Sequence, residues 1–322
     1  MKKTLLIVLS SLCLLSCSEE EVVNPVYWQL IPNYNTLPLI SIWENEDKIF
    51  FGGGSVGVEA NEHLGAIMSF DGHELIKENV NWKSRSLVIG GASNDQTTYA
   101  IANLYDENQN HNDEILVYSN QEWVLLTQFD FHFITNVKNI QGEIYLTSSG
   151  GVYTIEDSEL KNLNAPYLIH IMDIWGASSD NLYAVDYSGE EDFILHFDGE
   201  KWINMLSPGE FSSSFLTAIE GVSDNEIYAV GSNRFLRFDG EHWEEIAEDT
   251  KGYFDDLTVL GSRDVYLVSS EYPNYGAIHH YNGIELVQEF STVTGINSIW
   301  NSPKHGLFAV GNDGLILNKP IR

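Results

Sequence analysis

Cysteine is nearly absent: Cys13 and Cys17 are the only two in 322 residues. Both fall near the start, so no disulfide can brace the rest of the chain, which must be held by its own apolar core. Basic side chains are scarce as well, with 16 Lys and Arg against 47 Asp and Glu. Gripping a phosphate backbone takes clustered Lys and Arg, which excludes nucleic acid as a partner. An anionic lipid surface would repel the chain on the same ground. Long apolar runs are lacking too. The stretch at residues 5–15 is too short to span a bilayer. No segment shows a sustained helical period with capping signals.

What is present begins with a leader. Lys2 and Lys3 precede the apolar stretch, and residues 1–16 are predicted to be a secretory signal peptide. Leu14-Leu15-Ser16-Cys17 resembles the bacterial lipoprotein cleavage box. The resemblance implies that Cys17 becomes the first mature residue and carries acyl chains such as palmitate. Each buried CH₂ then contributes roughly 0.8 kcal/mol to membrane attachment. Residues 17–25 form a lipidated tether with the acidic run Glu19-Glu20-Glu21. Ser18 stands where that family's inner-membrane retention signal has Asp, which implies the outer membrane. The acidic run resembles the tag that some Gram-negative lineages use to place lipoproteins on the cell exterior; a plain solvated tether is the alternative. Without Lys2 and Lys3, 14 basic side chains face 47 acidic ones, a charge of −33 that favours solubility.

Residues 26–322 are built from a repeat. Its clearest copies run Ile174-Trp-Gly-Ala-Ser-Ser-Asp-Asn-Leu-Tyr-Ala-Val185 and Ile219-Glu-Gly-Val-Ser-Asp-Asn-Glu-Ile-Tyr-Ala-Val-Gly231. Each continues into a strand and a turn, through Phe197-Asp-Gly-Glu-Lys-Trp202 and Phe238-Asp-Gly-Glu-His-Trp243. Weaker copies hold Trp43, Tyr99, Tyr145, Tyr266 and Trp300. Units spaced by about 38 to 49 residues suit propeller blades of four short strands, a to d. The expected fold is an all-β propeller of seven four-stranded blades, with six as the alternative. Asp-Gly and Asn-Gly pairs at 71–72, 198–199, 239–240 and 282–283 predict tight c–d hairpins. The last unit stops after strand c, so residues 26–31 are predicted to supply its missing strand d and close the ring.

The units resemble the bacterial propeller repeats written Ile-Trp-Gly-Ser-Ser…Asp-Val-Tyr-Ala-Val-Gly…Ile-Leu-His-Tyr-Asp-Gly…Trp. That resemblance implies a surface or secreted protein. A propeller does not by itself select a function.

Catalytic patterns match by letter and fail by context. Gly53-Gly-Ser55-Val-Gly57 fits G-x-S-x-G but leaves a strand for a loop, where a nucleophile elbow needs a helix. His279 and His280 are adjacent on a predicted strand and point to opposite faces, so no shared metal is expected. Alternating Asp and Asn from Asp106 lack the glycine and glutamate of a calcium loop. A sialidase-like reading fails on its turn motif and its arginines. The chain is therefore read as a non-enzyme without cofactor. The recurrent tryptophans, Trp43, Trp175 and Trp300 in strand a and Trp123, Trp202 and Trp243 in strand d, are assigned to packing between blades.

Residues that do not repeat are the candidates for binding. The b–c loops and d–a linkers open on one face, and there lie Tyr105, Tyr187, Tyr253, Asp255, Asp256, Tyr272 and Tyr275. Exposed rings with carboxylates suit a glycan or a protein partner. The predicted role is a surface-exposed lipoprotein binding module. A structural accessory of an outer-membrane complex is the alternative, and a carbohydrate-active hydrolase or lyase a more distant one.

Overall fold

In a computed structural model the described residues are 27–33, 35–55, 64–80, 86–105, 111–130, 133–156, 159–163, 170–187, 192–206, 211, 215–271 and 275–320. Cys17, Tyr272 and the acidic run lie outside them. The side chains of Tyr105 and Tyr187 are also outside.

Strands form here because alternate side chains are buried in two different places. In the strand holding Tyr228, Ile227 and Ala229 join one apolar cluster with Tyr183, Val185 and Leu216. Tyr228 and Val230 join another, with Phe254, Leu257 and Leu267. Phe308 and Val310 likewise part from Leu307 and Ala309. Period-two alternation thus persists although every residue is apolar, because each sheet is covered on both faces.

Five sheets have four antiparallel strands each and form separate blades. The first runs Leu39–Glu44, Ile49–Ser55, Leu64–Phe70 and Leu75–Lys77. The second runs Ser86–Ser93, Thr98–Tyr105, His111–Ser119 and Glu122–Asp130. The third holds Ile134–Ile140, Glu143–Ser148, Gly151–Glu156 and Glu159–Asn162, and the fourth Ile171–Ser178, Asn181–Tyr187, Asp192–Phe197 and Trp202–Asn204. The closing blade joins Ile296–Ser302, Gly306–Gly311 and Ile316–Lys319 to Gln29–Leu30 from the other end of the chain. Gln29 pairs with Asn318 and Leu30 with Leu317, so the predicted closure is present but only two residues long.

Blade count departs from expectation. Instead of seven separate four-stranded blades, or six, there are five and one six-stranded sheet. Strands expected to break near Asn233 continue as Glu226–Phe238, and strand d runs on into the next strand a as Trp243–Gly261. These long strands are not straight. Seven residues would separate Tyr228 from Phe235 by about 23 Å in a straight strand. Their rings stack at 5.7 Å. Glu226–Phe238 therefore doubles back, and an apolar core of Phe235, Phe254 and Val265 fills the space between the two halves of the sheet.

Inner strands of all the sheets lie side by side in a ring. The Leu39–Glu44 strand meets Ser86–Ser93 on one side and Ile296–Ser302 on the other. At the outer ends the Asp-Gly turns differ from the two-residue type I′ hairpins expected. Phe70 pairs with Leu75, leaving a four-residue loop in which Asp71 Oδ1 accepts the amides of His73 and Glu74 at 2.8 and 2.9 Å. Gly72 takes a φ of +94°, and Asp198, Asp239 and Asn282 repeat the arrangement. The Asx side chain holds the turn, and Gly supplies the left-handed residue. Gly53, Gly231 and Gly311 are called for by another constraint. A Cβ at each would lie 2.0–2.3 Å from a main-chain oxygen of the segment leading into strand a.

Candidate ligand site in the central channel

Each inner strand carries a bulged residue near its start, at 40, 89, 135, 172, 217, 255 and 297, where its register with strand b shifts. A bulge adds a residue that the ladder does not pair and re-aims its side chain. Here most polar bulge residues tie one inner strand to the next. Thr217 Oγ1 donates to Phe254 O at 2.8 Å, Asn297 Nδ2 to Leu39 O at 2.8 Å, and Thr135 Oγ1 to Ile171 O. The following position makes a second latch. Asp173 Oδ1 accepts Ile174 N at 2.9 Å while its Oδ2 accepts Ile219 N across the sheet boundary at 3.0 Å. Asp256 does the same with Leu257 N at 2.9 Å and Ile299 N at 3.0 Å, and Ser298 Oγ adds a bond at 2.7 Å.

These bulges surround a cavity of about 300 Å³ in the channel. Among its lining residues are Ser41, Lys138, Glu220, Asp255, Asp256 and Trp300. Lys138 Nζ lies 3.6 Å from Asp173 Oδ1. Burial alone would lower the Lys138 ammonium, but Asp173, Glu220 and Asp256 together hold it above its ordinary value. Burial lifts the Glu220 carboxyl to about 7 against the pull of Lys138. Asp255 rises to about 6, chiefly by burial, with a Ser270 hydrogen bond opposing and the charge of Asp256 adding. Three polar atoms of lining residues are buried with no hydrogen-bond partner: Asp255 Oδ2, Ser41 Oγ and Trp300 Nε1, of which the Trp300 indole lies beside the Glu44 carboxylate.

The sequence candidates separate accordingly. Asp255 lines the cavity with an oxygen to spare, and Tyr253, two residues earlier, is 57% exposed. Asp256 also lines it, but both oxygens are engaged in the ring. Tyr275 begins the Tyr275–Tyr281 strand at the b–c end, half-buried, 3.5 Å from Gln288 Oε1. Tyr105 and Tyr187 end their b strands opposite His111 and Asp192. His279 and His280 do part: His279 Nε2 is 2.9 Å from Ser269 Oγ, whereas His280 meets Asp264 and Glu289. Among the described residues no three His, Cys, Asp or Glu are grouped to hold a metal ion.

Lys138 and Glu220 escaped the sequence reading, though a signal was there. Register places Glu220 opposite Tyr228 and Lys138 opposite Tyr145, as Trp43, Trp175 and Trp300 stand opposite Phe50, Tyr183 and Phe308. Ala92 and Thr258 hold the matching position opposite Tyr99 and Tyr266, so a charge there, at a place otherwise given to tryptophan or a small residue, marks a site that does more than pack.

Known structures with this arrangement include YCF48 bound to D1 peptide, at a TM-score of 0.67 and 14% identity over 92% of this chain and 95% of that one. The fold is a β-propeller. The extracellular domain of a putative one-component system from B. thetaiotaomicron matches at 0.67 and 14%, covering 90% of this chain and 40% of that one. A putative 6-phosphogluconolactonase from Bacteroides uniformis matches at 0.57 and 15%, with 82% and 89% covered. No family model and no curated protein matches the sequence. At these identities the propeller is shared, and nothing finer.

Proposed function

We propose that this chain is a binding module that presents the mouth of its channel to a segment of a polypeptide partner. The observation that carries the reading is the side-chain-sized cavity lined by Asp255, with Tyr253 exposed two residues earlier on the same strand. An exposed ring next to buried carboxylates on rigid inner strands is how propeller and other scaffold proteins place binding groups. The YCF48 structure, which carries a D1 peptide, supports a peptide ligand for this scaffold. A glycan is the second reading, favoured by Tyr253 itself, whose ring could stack on a sugar while Asp255 accepts a hydroxyl.

The reading includes an address and a ring count. Acyl chains on Cys17 would hold the module on the outer membrane, facing the cell exterior, and the lipobox and Ser18 support this. The six-stranded sheet is proposed to act as two blades, giving seven around the channel. The Tyr228–Phe235 stack and the core between the two halves of that sheet support the count.

Peptide and glycan arrays probed with the mature protein test the reading. Tyr253→Ala should reduce binding at least fivefold with an unchanged melting temperature, because the ring is exposed. Full binding by both Tyr253→Ala and Tyr275→Ala would move the site off this face. A hit confined to the glycan array would select the second reading.

A further inference from the structure

We propose that the channel cavity receives a single cationic side chain of the partner, a lysine ammonium or an arginine guanidinium, with Asp255 as its principal counter-charge. The inference rests on the binding-module reading and specifies its ligand. Its starting point is that Asp255 is not explained by the ring. At the matching bulge Thr135, Thr217 and Asn297 donate to a main-chain carbonyl of the next inner strand. A carboxylate cannot donate, and Asp255 Oδ2 lies buried without a partner. Such an atom forfeits its hydration for nothing unless a donor arrives from outside.

A second orphan points the same way. Ser41, 8% exposed and lining the same cavity, leaves its hydroxyl unpaired. An ammonium carries three donors and no acceptor, and a guanidinium five, so either can satisfy a carboxylate and a hydroxyl together. Size agrees. About 300 Å³ equals roughly ten water volumes, room for one long side chain and too little for an oligosaccharide.

The charges facing the cavity are out of balance. Glu220, Asp255 and Asp256 line it against Lys138 alone, and Lys138 already lies 3.6 Å from the buried carboxylate of Asp173. Burial keeps Asp255 and Glu220 from ionising, Glu220 even against the pull of Lys138, and a cationic ligand would favour the charged form of both. The chain's net charge of −31 steers a basic partner toward it.

Calorimetry of the folded domain at pH 8 with N-acetyl-lysine methylamide tests the proposal, with the norleucine analogue as the uncharged control. Lysine should bind in the millimolar range and norleucine at least tenfold more weakly. Asp255→Asn should weaken lysine binding at least tenfold, and Glu220→Gln by a smaller factor. Affinity should fall from pH 8 to pH 5 as the two carboxyls become neutral. Equal binding of norleucine, undiminished binding to a folded Asp255→Asn variant, or no lysine binding at all would overturn it. Should Asp255→Asn fail to fold, Glu220→Gln and the wild-type pH profile decide. Array hits that depend on Tyr253 but show no preference for lysine or arginine would sink this inference while leaving the binding module standing.

Discussion

Asp255 and Glu220 both stay protonated to higher pH in the folded chain than they would unfolded, near 6 and 7 instead of about 4. Between those limits the native state binds more protons than the unfolded one, so stability falls as pH rises from about 4 to 7. Turn residues act with the opposite sign elsewhere. Main-chain amides hold Asp71, Asp198 and Asp239 below their ordinary value, and that contribution is lost only as the pH falls into the acidic range. Asp255→Asn removes the cost of ionising a buried carboxyl. It should be more stable than wild type at pH 8 by about 1–2 kcal/mol and nearly equal to it at about pH 3.5. Urea melts at the two pH values check this, and an equal difference at both would show that the carboxyl is not strained by its charge. A substitution that steadies the empty protein while impairing ligand capture is the usual signature of a binding residue.

At the level of strands, burial ranks the tryptophans that sequence treats alike. Trp43 is 1% exposed and packs against Phe50 and Trp123 at 5.6 and 6.0 Å, whereas Trp175 and Trp300 are only half-buried. Trp43→Ala should cost about 3–5 kcal/mol and Trp175→Ala distinctly less, read by denaturant melts. Deleting residues 26–31 should destabilise the domain too. Gln29–Leu30 covers the outer edge of the closing blade, and Trp28 packs on the core between that blade and its neighbour. Wild-type melting of the deletion would mean that the ring does not depend on this strand. The repeat and the closing strand were legible because apolar alternation and Gly-rich turns are local signals, whereas Asp255, expected in a d–a linker, lies at a bulge within the Trp243–Gly261 strand. The run-on strands through Asn233 and beyond Trp243 were not legible, since they depend on the path of the backbone between sheets. Nor was the unequal duty of Asp255 and Asp256. Adjacent in sequence, they part only when the bulge turns one into the cavity and leaves the other bonded across the sheet boundary.

Taken whole, the molecule carries a strong negative charge, and no helix among its described residues is long and apolar enough to cross a membrane. Residence at an anionic bilayer would then require an attachment stronger than surface affinity. The proposed lipid on Cys17 would supply one, since roughly 0.8 kcal/mol per buried CH₂ over several acyl chains outweighs the repulsion of exposed carboxylates. Cys17→Ser should leave the propeller folded, with unchanged melting and circular dichroism, because its described strands begin at Gln29. In detergent phase partitioning the wild type should enter the detergent phase and the variant the aqueous one. A variant that still partitions into detergent would show that something other than Cys17 holds it there. Protease added to intact cells separately tests the outward orientation: the tether at residues 17–25 should be cut and the domain released. Protection until the outer membrane is opened would place the channel mouth, and whichever basic partner it takes, on the periplasmic side.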